Sequence, residues 1–140
     1  MNVLVDTSIW SLALRRQIGD LNSEQRTARN ELAEIIRDGR AQLIGVVRQE
    51  LLSGIREHTQ FNRLRQHLRA FDDVGLTVAD YEAAAEASNR CRAAGTSGST
   101  IDFLLCAVAI RRGWLVFTGD KDFAEYAKHI PVRLHSLAKS

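Results

Sequence analysis

Asp6, Glu50, Asp102 and the pair Asp120 and Asp122 stand apart from the chain's other carboxylates, most of which sit where a solvated helix face would put them. Asp6 directly follows Val3-Leu4-Val5, a consecutive apolar run suited to a strand covered on both faces. It therefore falls at a strand's carboxyl end, where open α/β sheets bind ligands. Asp6, Thr7 or Ser8 could equally cap a following helix. Glu50 lies three or four residues from Val46, Val47 and Gly54, so it shares a helix face with apolar and small residues. A carboxylate on such a face must be paired, protonated or bound to a cation, and Arg48 and Arg56 are the candidate pairing partners. Asp102 opens a helix that is apolar nearly all round. The helix dipole favours an acid in that first turn, but burial would also demand a partner. Asp120 and Asp122 follow Trp114-Leu115-Val116-Phe117, just past another strand's carboxyl end. That segment also reads as a helix start, with Asp120 as N-cap and Asp122 in the first turn.

Taken together, these acids could be gathered into one cleft. Several carboxylates converging without matching lysines repel one another, and a hard divalent cation relieves that repulsion. Ligation by oxygen alone selects Mg²⁺ or Mn²⁺ over zinc, and the four scattered histidines form no competing cluster. Such a site suits phosphodiester hydrolysis. Rival motifs fail: there is no G-x-x-x-x-G-K-[ST], and Gly95 and Gly98 are too few for a dinucleotide fingerprint. Position 8 is a serine, where an aspartyl-phosphate phosphatase would need a second aspartate. Two other readings stay open: a non-catalytic module whose acids anchor a basic partner segment, and a phosphohydrolase of small esters.

The elements that must position these residues follow from periodicity. Strands are expected at 3–5, 41–44, 114–117 and, as a weaker edge strand behind Pro131, 132–134, with a fifth near 74–76. Helices are expected at 22–38, 46–56, 59–70, 78–94, 100–112 and 121–129, with loops 15–24 and 95–99 as candidate contact segments. The alternation argues for one α/β domain over residues 1–140, with a central, mainly parallel sheet of four or five strands flanked by helices. At 140 residues, 45% apolar and 26% charged, the chain fits a single globular domain and excludes disordered and fibrous classes. No apolar run is long enough to span a membrane, and the start lacks the features of a secretory signal. Cys91 and Cys106 fit no disulfide framework and read as small core residues, which points to a reducing cytoplasm.

Four segments in order resemble the PIN domain, specifically the VapC toxins of toxin–antitoxin pairs. They are Val5-Asp6-Thr7-Ser8, Glu50 within Arg48–Gly54, Asp102 within Ile101–Ala107, and Thr118-Gly119-Asp120-Lys121-Asp122-Phe123. The resemblance covers about residues 2 to 135 and implies Mg²⁺-dependent cleavage of RNA. It implies Asp6, Glu50, Asp102 and Asp120 as an acidic quartet, with Asp6 and Asp102 on the metal. Either aspartate of the final pair could serve, so Asp122 is a further candidate. Thr7, Ser8 and Thr118 would orient the acids. The resemblance also implies a cognate antitoxin that wraps a groove and sends a side chain toward the acids, and a homodimer. The helix bearing Phe61, Leu64 and Leu68 could belong to that groove or simply face the core. Net charge is only +2, but setting the quartet aside leaves 13 acids against 19 bases, 16 of them arginine. The remaining surface therefore tolerates phosphate.

Overall fold

The computed structural model describes residues 1–137. The chain runs β1 (Val3–Val5), α1 (Thr7–Leu14), a 3₁₀ turn (Ile18–Asp20), α2 (Ser23–Arg37), β2 (Ala41–Gln42), α3 (Gly45–Leu52), α4 (His58–Leu68), α5 (Val78–Ala93), α6 (Thr100–Arg112), β3 (Leu115–Phe117), α7 (Asp122–Tyr126) and β4 (Arg133–Leu134). The four strands form one sheet in the order β2-β1-β3-β4, parallel at every pairing. Val3 pairs with Ala41 on one side and Leu115 on the other, and Val5 pairs with Phe117. Helices cover both faces, so β1 is wholly buried, as its unbroken apolar run requires.

The strand order carries the functional consequence. From β1 the chain moves outward to β2, then crosses back to place β3 on the opposite side of β1. The carboxyl ends of β1 and β3 therefore flank the point where the winding reverses, where such sheets open a crevice. The chain after β1 begins with Asp6, and the chain after β3 begins with Thr118.

Most expected elements are present with adjusted ends. Asn22 caps α2 in a reciprocal capping box with Gln25, and Gly39 follows its end at φ +72°. Helix α6 is buried continuously from Phe103 to Ala109 and forms the central helix. Leu64 and Leu68 of α4 face the core and Phe61 is half-buried, so that stripe is mainly a packing face. The expected strand at 74–76 is absent. Instead a single parallel bridge joins Leu43 to Asp73, and Arg48 ties that segment down through Asp73 Oδ1 at 2.9 Å and the carbonyls of Leu68 and Phe71. Both cysteines are buried and free. No helix among the described residues is long and apolar enough to cross a membrane.

Candidate active site

Asp6 is only 7% exposed, yet no cationic side chain among the described residues pairs with it. Its neighbours are neutral donors. The backbone N–H of Thr7 donates to Oδ1 at 2.8 Å; the hydroxyls of Ser8 and Thr118 donate to Oδ2 at 3.0 and 2.8 Å. Those hydroxyls are fixed in turn, because Gly119 N–H donates to Ser8 Oγ at 2.9 Å and Asp120 N–H to Thr118 Oγ1 at 3.0 Å. The D-T-S and T-x-D segments thus interlock across the β1–β3 crevice. Burial raises the Asp6 carboxyl above its ordinary value despite these bonds, and repulsion from Glu50 adds to the rise.

The other acids arrive from three further elements. Thr7 Oγ1 donates to Glu50 Oε1 at 2.7 Å, linking the start of α1 to α3. The expectation of a buried Glu50 is corrected. Helix α3 stops at Leu52, its buried residues are Val47 and Leu51, and Gly54 lies beyond its end at φ +86°, so Glu50 is exposed. Its candidate partner Arg48 is engaged with Asp73. Glu50 lines an open depression of about 290 Å³ with Ile101, which immediately precedes Asp102. Asp102 is half-buried in the first turn of α6, which Ser99 caps by accepting from its N–H at 3.1 Å. Burial again raises its carboxyl, with further repulsion from Asp6 and Asp120. Asp120 and Asp122 are exposed. The helix begins one step later than expected, with Lys121 at the cap position. Even so, Asp120 Oδ1 accepts from Asp122 N–H at 2.9 Å and does part of the capping.

Each acid of the quartet is anchored through hydrogen bonds yet retains capacity. Glu50 Oε2 and Asp120 Oδ2 accept no hydrogen bond among the described residues, and Asp6 Oδ1 accepts one. No three carboxylate, histidine or cysteine side chains among the described residues stand close enough to enclose a metal ion by themselves. A hard cation still fits the donor set. Mg²⁺ keeps several waters and needs only one or two carboxylates, with substrate phosphate completing its shell. Asp6, buried, and Asp102, half-buried, supply two oxygen donors with no counter-ion among the described residues.

One residue of the site and one structural acid outside it escaped the sequence. Tyr126, fully buried, donates its hydroxyl to Asp102 Oδ2 at 2.7 Å and packs between Phe103 and Phe123 at ring-centroid distances of 4.8 and 5.3 Å. Gly98 covers it: a Cβ there would collide with the Tyr126 hydroxyl and lie 2.6 Å from Cζ. The only available signal for Tyr126 was an apolar pairing with Phe123 at helical spacing. Asp80 was also missed, although at 1% exposure it is more buried than Asp6. Arg111 Nε reaches it at 3.0 Å and Arg112 at 3.0 and 3.1 Å; Thr77 N–H donates to it at 2.9 Å. These bonds, with the guanidinium of Arg112 foremost, hold its carboxyl well below the usual range. They pin the first turn of α5 to the last turn of α6. The Thr77-x-x-Asp80 capping box was the legible sign.

The chain resembles known proteins in both sequence and fold. A family model for the PIN domain matches residues 3–129. The fold is shared with the crystal structure of FitAcB from Neisseria gonorrhoeae at TM-score 0.75 and 19% identity, covering 96% of each chain. VapBC2 from Rickettsia felis, solved bound to a DNA fragment from its promoter, matches at TM-score 0.71 and 16% identity, covering 96% of this chain and 98% of that one. A toxin–antitoxin complex from Klebsiella pneumoniae matches at TM-score 0.66 and 18% identity over 88% and 91%. With a parallel sheet in this order and a family match over nearly its whole length, the chain belongs to the PIN domain family.

Proposed function

We propose that the chain is a metal-dependent endoribonuclease, the toxin of a toxin–antitoxin pair. The observation that carries this reading is Asp6. A carboxylate 7% exposed, at the reversal point of a parallel sheet, is surrounded by neutral donors and by the acids of other segments, with no cation beside it among the described residues. Membership of a nuclease family and the toxin–antitoxin neighbour support the same reading.

Asp6 and Asp102 would hold a divalent cation, Mg²⁺ with Mn²⁺ as a substitute. When bound, the cation supplies charge neutralisation at the phosphodiester and acidifies water. The chain's own groups keep the acids in place. Thr7 N–H, Ser8 and Thr118 fix Asp6, and Tyr126 holds one oxygen of Asp102 so that the other faces the cleft. Glu50, held through Oε1 by Thr7, offers Oε2 at the solvent edge to orient an incoming water. Asp120 completes the acidic wall, with Asp122 beside it as an additional acid. The partners are an RNA substrate and an antitoxin that covers the acids, and the toxin acts as a homodimer.

The purified chain, freed of any antitoxin, should cut total RNA with Mg²⁺ and not with chelator, and the cut ends can be mapped by sequencing. Turnover of small phosphoesters that RNA does not inhibit would favour the small-ester phosphohydrolase. No cleavage at all, with Mg²⁺-indifferent binding of a basic peptide, would favour the non-catalytic module.

A further inference from the structure

An open groove of about 610 Å³ lies between the end of α1 and the segment joining α3 to α4. Its lining includes Arg15, Arg16, Arg56 and Arg63, all exposed and none in an ion pair among the described residues. Six basic residues elsewhere have acidic partners, among them Arg37 with Glu34 and Arg48 with Asp73. Others such as Arg90 and Arg92 have none among the described residues; the groove stands out because four such arginines line one opening. The groove contains one carboxylate, Glu57, and it is occupied in capping α4 through the N–H groups of Thr59 and Gln60. Four like charges kept together with a single carboxylate still repel, and an anion in the groove relieves that repulsion.

The groove neighbours the depression beside Glu50. Ser53 lines the depression that holds Glu50, and the next residue, Gly54, lines the groove. Along the other wall, α1 begins at Thr7, which bonds Glu50, and its eight residues span only about 12 Å before Leu14 enters the lining. The lining's apolar members Leu14, Ile55 and Leu64 are buried or half-buried, so the charged lining groups are the arginines at its rim. Guanidinium forks match phosphate oxygens in pairs.

The geometry points to this groove as the track that holds the phosphate backbone of single-stranded RNA beside the scissile bond. This assignment rests on the nuclease reading for its substrate. The groove makes contacts to the backbone rather than the bases, so it sets affinity and leaves sequence choice to other parts of the surface.

The test is fluorescence anisotropy of a short labelled single-stranded RNA, with chelator present, across a salt series. Four phosphate contacts give a log–log salt slope of about −2.8, at about 0.7 per contact. The Arg56→Gln, Arg63→Gln double variant should bind more weakly, with the slope shallower by about 1.4. Arg65→Gln with Arg69→Gln removes the same charge from residues of the same segment outside the groove, and should leave the slope unchanged. Equal binding by the native and groove variants, or equal weakening by the control pair, overturns the proposal. So does a groove variant that loses affinity for polyglutamate but keeps it for RNA, because the groove would then serve an acidic protein segment. Cleavage with Mg²⁺ is scored separately. Lost binding without any native cleavage keeps the groove and removes the nuclease, while cleavage with unchanged binding does the reverse.

Discussion

Tyr126→Phe isolates what holds Asp102. The substitution removes one hydroxyl and keeps the ring that packs against Phe103 and Phe123, so the loss is the 2.7 Å bond to Asp102 Oδ2. Hydrogen bonds to charged groups contribute about 1.5–3 kcal/mol net. Asp102 is only half-buried, so water replaces part of the loss and the lower end, about 1.5 kcal/mol, applies. For a chain of this size that corresponds to a fall in Tm of about 3–6 °C. A urea-denaturation double-mutant cycle with Asp102→Ala should return a coupling energy near that value, since the two side chains touch and lie far apart in sequence. The same Tyr126→Phe variant should bind Mn²⁺ more weakly, because Asp102 loses its fixed orientation. A coupling below about 0.5 kcal/mol, together with unchanged Mn²⁺ affinity, would refute the claim that Tyr126 positions this acid.

Other perturbations test neighbouring parts of the structure. Gly98→Ala should destabilise by about 1–3 kcal/mol and slow RNA cleavage, because its Cβ strikes the buried ring of Tyr126. Gly19→Ala, which meets nothing within 4 Å, should stay within about 0.5 kcal/mol, and equal thermal melts for the two would contradict this. Thr118→Val removes a donor to Asp6 and the acceptor of Asp120 N–H, and should lower metal affinity about 10–100-fold by calorimetry. Asp80→Ala should cost about 3 kcal/mol at neutral pH, as both arginines can partly reach water once released. The folded-state carboxyl of Asp80 is held low, so its stabilisation is present above the unfolded value near 4 and is lost as pH falls toward the folded value. The stability gap between native and variant chains should therefore narrow in urea melts below about pH 4, and a gap that widens on acidification would contradict the pairing.

Much of the fold could be read from local pattern. Val3–Val5 and Leu115–Phe117 are unbroken apolar runs, and α6 is apolar nearly all round because the sheet and helices enclose it. Asp6 was legible because it follows its run directly, and Asp120 because it lies three residues past the other. Contacts between distant segments were not legible. The burial assigned to Glu50 failed because it depended on α3 continuing to Gly54, and the helix stops at Leu52. Tyr126 meets Asp102 across 24 residues, and Asp80 meets its arginines across 31 and 32. The arginine-rich composition was visible, but its concentration in one groove arises only when the end of α1 meets the segment before α4. The strand near 74–76 was a sound β pattern reduced to one bridge by the arginine bonds that shape the chain from Leu68 to Asp73.

The most direct measurement is RNA cleavage by the native chain beside Asp6→Asn and Asp102→Asn. Each variant is first shown to be folded by its cooperative melt, and each is assayed with Mg²⁺ and with chelator. The account predicts cleavage by the native chain only with Mg²⁺ and none by either variant. Mg²⁺-dependent cutting by both variants at the native rate would contradict it.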